Sequence, residues 1–106
     1  MTLRPPRSFE RLPAIVTGEA SLQAEIMAEK AAALARAGEA VVKALDAWRD
    51  APDPEKGARA YAAAEAVQSL FIQRELMGLR AHGDVVAQLG VPREVLSKIG
   101  ARPPAP

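Results

Sequence analysis

The chain has 106 residues, enough for one core, a net charge of +1, and 49% hydrophobic residues, of which 23 are Ala. It has no Cys, which excludes disulfides, zinc–thiolate sites, iron–sulfur clusters and thiol nucleophiles. No run approaches the roughly 18 apolar residues of a spanning helix, and Pro interrupts the N-terminal stretch where a signal peptide would be apolar. A cytoplasmic protein is expected.

The charge is unevenly spread. Residues 1–18 hold three Arg against one Glu, residues 19–79 carry net −3, and residues 80–106 carry net +2. Basic ends permit contact with nucleic acid without demanding it.

Residues 1–16, "MTLRPPRSFERLPAIV", hold three Pro and three Arg with no helical period, and are expected to form a flexible arm. Thr17 or Ser21 can cap the helix that follows. That helix is expected to run to about Asp50. Met27, Leu34, Val41 and Trp48 recur every seven residues, with Ala24, Ala31, Gly38 and Leu45 three residues earlier. Gly38 within these rows costs roughly 1 kcal/mol relative to Ala, which points to a close helix crossing there.

"DAPDPEKG" is a turn: Pro52 ends the first helix and Pro54 suits the start of the next. So short a connection makes the two helices antiparallel. The second is expected over about Glu55–Arg80, with Ala60, Ala63, Ala64, Val67, Leu70, Phe71, Met77 and Gly78 on its apolar face. Folded at the turn, the hairpin brings Val41 near Ala63 and Ala64, Leu34 near Leu70 and Phe71, and Met27 near Met77. The large residues then gather at the end remote from the turn, where the core is expected.

His82 and Gly83 break the second helix, Asp84 caps a short piece through Leu89, Gly90 stops it, and Pro92 opens another that ends at Gly100. The tail 101–106, "ARPPAP", reads as polyproline-like. The domain is thus expected over residues 17–100. It is all-α, a long antiparallel helical hairpin with two short C-terminal helices folded over its open end. A lone hairpin leaves part of each stripe wet, so a homodimer with a four-helix core is expected. Leu22, Ile26, Met27, Leu34, Leu70, Phe71, Met77, Val86, Leu89, Leu96 and Ile99 are the expected interior.

Two stretches carry candidate chemistry. "FIQREL" places Arg74 on the apolar face, where a guanidinium needs a carboxylate, and the hairpin register offers Glu25 or Glu29. The structural reading is an interhelical ion pair that fixes register; the functional one is an anion or partner site near Gln73, Arg74 and Arg80. "DVVAQLGVPREVLSKIG" has helix-turn-helix spacing, with Arg93, Ser97 and Lys98 on the groove-facing side and Arg102 just beyond. The same inward residues serve any pair of covering helices, and Glu94 and the low basic charge count against DNA.

A di-metal carboxylate site would need Glu-x-x-His pairs, and the single His82 is preceded by Leu79 instead. No catalytic set, phosphate loop or cofactor site is evident, so a non-enzymatic interaction or regulatory module is expected, with nucleic-acid binding as the alternative. The runs "AEIMAEKAAALARAG", "FIQRELMGLR" and "GVPREVLSKIG" resemble a small family of uncharacterised bacterial all-helical proteins over roughly residues 20–100. The resemblance implies a helical fold and a natural origin, and brings no activity or residue roles with it.

Overall fold

The computed structural model describes residues 14–104, with side chains from residue 18. Four helices follow in order: α1, Ala14–Asp50; α2, Asp53–Leu76; α3, Gly83–Leu89; and α4, Arg93–Leu96. No strand occurs among the described residues. The chain divides into two units, Met1–Ala31 and Ala32–Pro106, with the boundary inside α1.

The first unit contributes the start of α1. Residues 1–13, most of the expected arm, lie outside the described residues, and Ala14 to Val16 are helical. The helix thus begins before both Thr17 and Ser21. No Pro falls between Ala14 and Ala51, and ten Ala between residues 14 and 40 keep helix propensity high. Every described side chain from Gly18 to Ala31 is exposed.

In the second unit α1 packs along α2, and the chain reverses through Ala51 and Pro52. Lys56 closes the first helix: its Nζ donates to the carbonyls of Trp48 and Arg49, both at 2.8 Å. These are last-turn acceptors, and the Trp48 carbonyl also accepts from the Ala51 N–H at 3.3 Å. The same ammonium lies 5.3 Å from the centroid of the Trp48 ring, a cation–π contact. Pro52, extended at φ −67° and ψ 156°, precedes α2, and Asp53 and Glu55 place negative charge in its first turn.

The core consists of Val41 and Leu45 from α1, Ala60, Ala63, Ala64, Val67 and Leu70 from α2, and Val91 and Val95 from the C-terminal segment. Val41, Ala63 and Ala64, expected near one another, all belong to this cluster. Leu34 and Phe71 both pack against this cluster, half-buried. Leu45, Val41, Val67 and Val95 are the largest fully buried side chains. Each contributes roughly 1.5–3 kcal/mol of burial, whereas a buried Ala methyl gives about 0.8. The Ala faces let the helices approach closely, and Val and Leu do most of the stabilising.

The core lies nearer the turn than the sequence predicts. Leu22, Ile26 and Met27, expected inside, are 56%, 41% and 52% exposed, and Met77 is only half-buried. One reason is that α2 stops at Leu76, four residues short of the expected Arg80. Gly78, read from sequence as an interface glycine, takes φ +86°. Its N–H bonds to the Glu75 carbonyl at 2.9 Å, and the Leu79 N–H bonds to the Arg74 carbonyl at 2.9 Å. This is a Schellman ending.

The second reason is where the short helices go. They do not close the open end. Gly90, at φ +65°, ends α3 by the same device, with the Val91 N–H reaching the Val86 carbonyl at 3.1 Å. The chain then runs toward the turn. Arg49 Nη2 donates to the Gly90 carbonyl at 3.4 Å, and Val91 and Val95 complete the core. Helix α4 packs on α2. Among the described residues no close crossing covers Gly38: nothing lies within 4 Å of where its Cβ would stand.

Candidate functional site

The polar side chains that the structure brings together stand where α2 hands over to α3. Arg74 and Glu75 are adjacent in the last turn of α2, and His82 immediately precedes α3. The positive φ at Gly78 turns the chain back so that His82 meets the residues it has just left. Arg74 Nε donates to His82 Nδ1 at 3.1 Å, and Arg74 Nη2 donates to the Ala81 carbonyl at 2.8 Å. On the far side of the ring, His82 Nε2 lies 3.0 Å from Glu75 Oε2. The imidazole stacks on Phe71, with centroids 4.1 Å apart and planes 5° from parallel.

The protonation pattern follows from the donors. Arg74 has only N–H groups to offer, so Nδ1 must accept, and Nε2 carries the proton that Glu75 receives. His82 is therefore the neutral Nε2–H tautomer in this arrangement. Its side chain is 15% exposed, while that of Glu75 is 54% exposed, so one face of the group is dry and the other wet. As chemistry, this is a clasp. The protein's single imidazole has both nitrogens engaged, with no position left for a nucleophile or metal on the ring.

Arg74, expected on the apolar face, is half-buried. The partners found for it are Ala81 and His82. Glu25 and Glu29, its expected partners, are exposed residues of the first unit. Gln73 is half-buried and Arg80 exposed. The role of His82 escaped the sequence reading. Its signal is an eight-residue separation from Arg74 with a helix-ending Gly between them.

Of the residues expected to face a DNA groove, Arg93, Ser97 and Arg102 are exposed and Lys98 is half-buried. Helix α4 has four residues, and 97–100 continue as turns. Ser97 Oγ donates to the Glu94 carbonyl at 3.0 Å. Lys98, half-buried, reaches the same carbonyl at 3.5 Å and lies 5.4 Å from the Tyr61 ring centroid. Val95, between these positions, is fully buried and anchors the segment to the core.

A second surface lies on α1, within the second unit. A groove of about 750 Å³ is lined by Ala35, Gly38, Val42 and Leu89, with Arg36, Glu39, Lys43 and Asp46 along it. Val42 is 47% exposed there. Asp46 meets Arg49 at 3.4 Å across an exposed i, i+3 pair, and no other ion pair involves these four charges among the described residues.

The described residues thus form an all-helical fold with a structural polar clasp and a charged groove on α1. The chain belongs to a family of unknown function (DUF6665), whose sequence pattern matches residues 1–106. The match spans the whole chain, beyond the residues 20–100 over which the resemblance was seen. No curated protein and no solved structure matches it. No helix of the described residues is long and apolar enough to cross a membrane.

Proposed function

We propose that this protein is a non-enzymatic interaction module of the cytoplasm that works as a homodimer, its helices combining into a four-helix core. The observation that carries this reading is the amount of apolar side chain left in water. Leu22, Ile26, Met27, Val42, Ile72, Leu76 and Leu79 are between 41% and 65% exposed, against a core that counts Ala60, Ala63 and Ala64 among its members. Scattered exposed Leu residues need no explanation, but several at helical spacing on the same helices mark an association surface. Ile72 and Leu76, four apart, share one face of α2, and Leu22 and Ile26 share one face of α1.

The clasp supports the non-enzymatic part, since it commits the one histidine to holding α2 against α3. Nucleic acid fits less well as a partner. Lys98 is committed to Tyr61 and its own backbone, leaving Arg93 and Arg102 as the only exposed cations of the described C-terminal segment from residue 84. That segment by itself offers two phosphate contacts, which give little affinity at physiological salt. Sedimentation velocity of the full chain over a wide concentration range tests the reading. A concentration-dependent dimer supports it; a monomer at every concentration refutes it.

A further inference from the structure

The homodimer proposed above leaves open how two copies meet, and the groove on α1 answers that. Arg36, Glu39, Lys43 and Asp46 form a row along one edge of the helix, with successive spacings of three, four and three residues. The spacing is the same read from either end. The charges alternate plus, minus, plus, minus, so reversing the row inverts every sign. A row of this kind is complementary to a reversed copy of itself. Residue 41 is midway between Arg36 and Asp46, and also midway between Glu39 and Lys43.

The row flanks an unpartnered face. Ala35, Gly38 and Val42 occupy one side of α1, and Leu89 of α3 borders the groove. Gly38 is mid-helix, where it costs roughly 1 kcal/mol relative to Ala, and among the described residues nothing lies within 4 Å of where its Cβ would stand. No described neighbour makes use of its missing Cβ. It does have a use if another helix lies across it.

We infer that this face binds a second copy of the chain through an antiparallel α1–α1 contact, with the two-fold axis at the level of residue 41. This rests on the homodimer reading and adds the surface and the register. Glu39 of each copy then meets Lys43 of the other, and Arg36 of each meets Asp46 of the other. Gly38 of each copy is then offset by about 3 Å along the axis from the other copy's Val42. A parallel copy in register would instead set Glu39 against Glu39 and Lys43 against Lys43, like against like. The symmetry makes the contact isologous, so each pair occurs twice and the assembly closes at two.

Charge reversal and mixing test it, read by sedimentation equilibrium on the full chain. Lys43→Glu alone and Glu39→Lys alone are each expected to weaken the dimer about tenfold or more, because every reversal acts at two symmetric places. Mixing the two variants restores association, since each supplies the charge that the other lacks. The double variant Glu39→Lys with Lys43→Glu also recovers it. A variant that merely failed to fold could not be rescued by mixing. A dimer indifferent to both reversals, or one weakened by them and not rescued, overturns this register while self-association stands. A full chain that stays monomeric overturns both.

Discussion

Arg74 and His82, eight residues apart in sequence, share a hydrogen bond in which the guanidinium Nε donates to the imidazole Nδ1 at 3.1 Å. One contact therefore fixes three things: the end of α2, the start of α3 and the tautomer of the ring. Nuclear magnetic resonance detection of the imidazole nitrogens is expected to show the Nε2–H tautomer. A dominant Nδ1–H tautomer would contradict the clasp.

His82→Ala removes the stack on Phe71 and leaves Arg74 with Ala81 alone. Hydrogen bonds to charged groups are worth about 1.5–3 kcal/mol, and partial exposure of Glu75 reduces that side's share. A loss of about 2 kcal/mol is expected in urea unfolding. His82→Phe keeps the stack and should lose less. Equal losses would mean that the stack on Phe71 contributes nothing.

Core placement predicts a contrast between two leucines of the same helix. Leu45→Ala empties a fully buried site and is expected to cost about 2–5 kcal/mol. Leu22→Ala, at a site 56% exposed, should change the stability of the isolated chain by less than about 0.5 kcal/mol. The same denaturation series decides the matter, and reversed magnitudes would return the core to the end remote from the turn.

The glycines should separate by backbone conformation. Gly90→Ala places a side chain at φ +65° and is expected to destabilise by about 1–2 kcal/mol. Gly38→Ala meets open space within a helix and should stabilise the monomeric fold by up to about 1 kcal/mol. Thermal unfolding at low protein concentration distinguishes them by sign.

Lys56→Met takes away both side-chain hydrogen bonds to the end of α1 and the cation over Trp48. About 1–2 kcal/mol of stability should go with them. Trp48 is the only tryptophan, so its fluorescence reports this turn alone. Emission unchanged from the parent would show that the ammonium does not sit on the ring.

Much of the architecture was legible because it follows from local chemistry. Pro52 and Pro54 announce the turn, the heptad row through Leu34 and Val41 announces the packed face, and Gly90 and Pro92 delimit the short helices. What was missed depends on tertiary choices. The run from Ala60 to Gly78 keeps helical periodicity, so nothing in the pattern says that Gly78 will turn left-handed and stop α2. Val91 and Val95 looked like minor residues of a covering segment until the direction of that segment was known. Leu22, Ile26 and Met27 continue an apolar pattern that no described part of the chain covers, and periodicity alone cannot tell a filled face from an empty one. Arg74 was flagged by its misplaced charge, yet its partner came from a loop whose path the sequence does not encode locally.

The exposed stretch of α1 from Gly18 to Ala31 has a consequence for the order in which structure is gained and lost. Starting a helix is the unfavourable step, and lengthening one adds a bond per residue. With no buried side chain to hold it, this stretch inherits its helicity from the turns packed against α2, growing outward from them toward the N-terminus. Its amides should exchange with solvent in a graded series, slowest beside Ala32 and faster with each turn away, while the amides around Val41 and Leu45 wait for global opening.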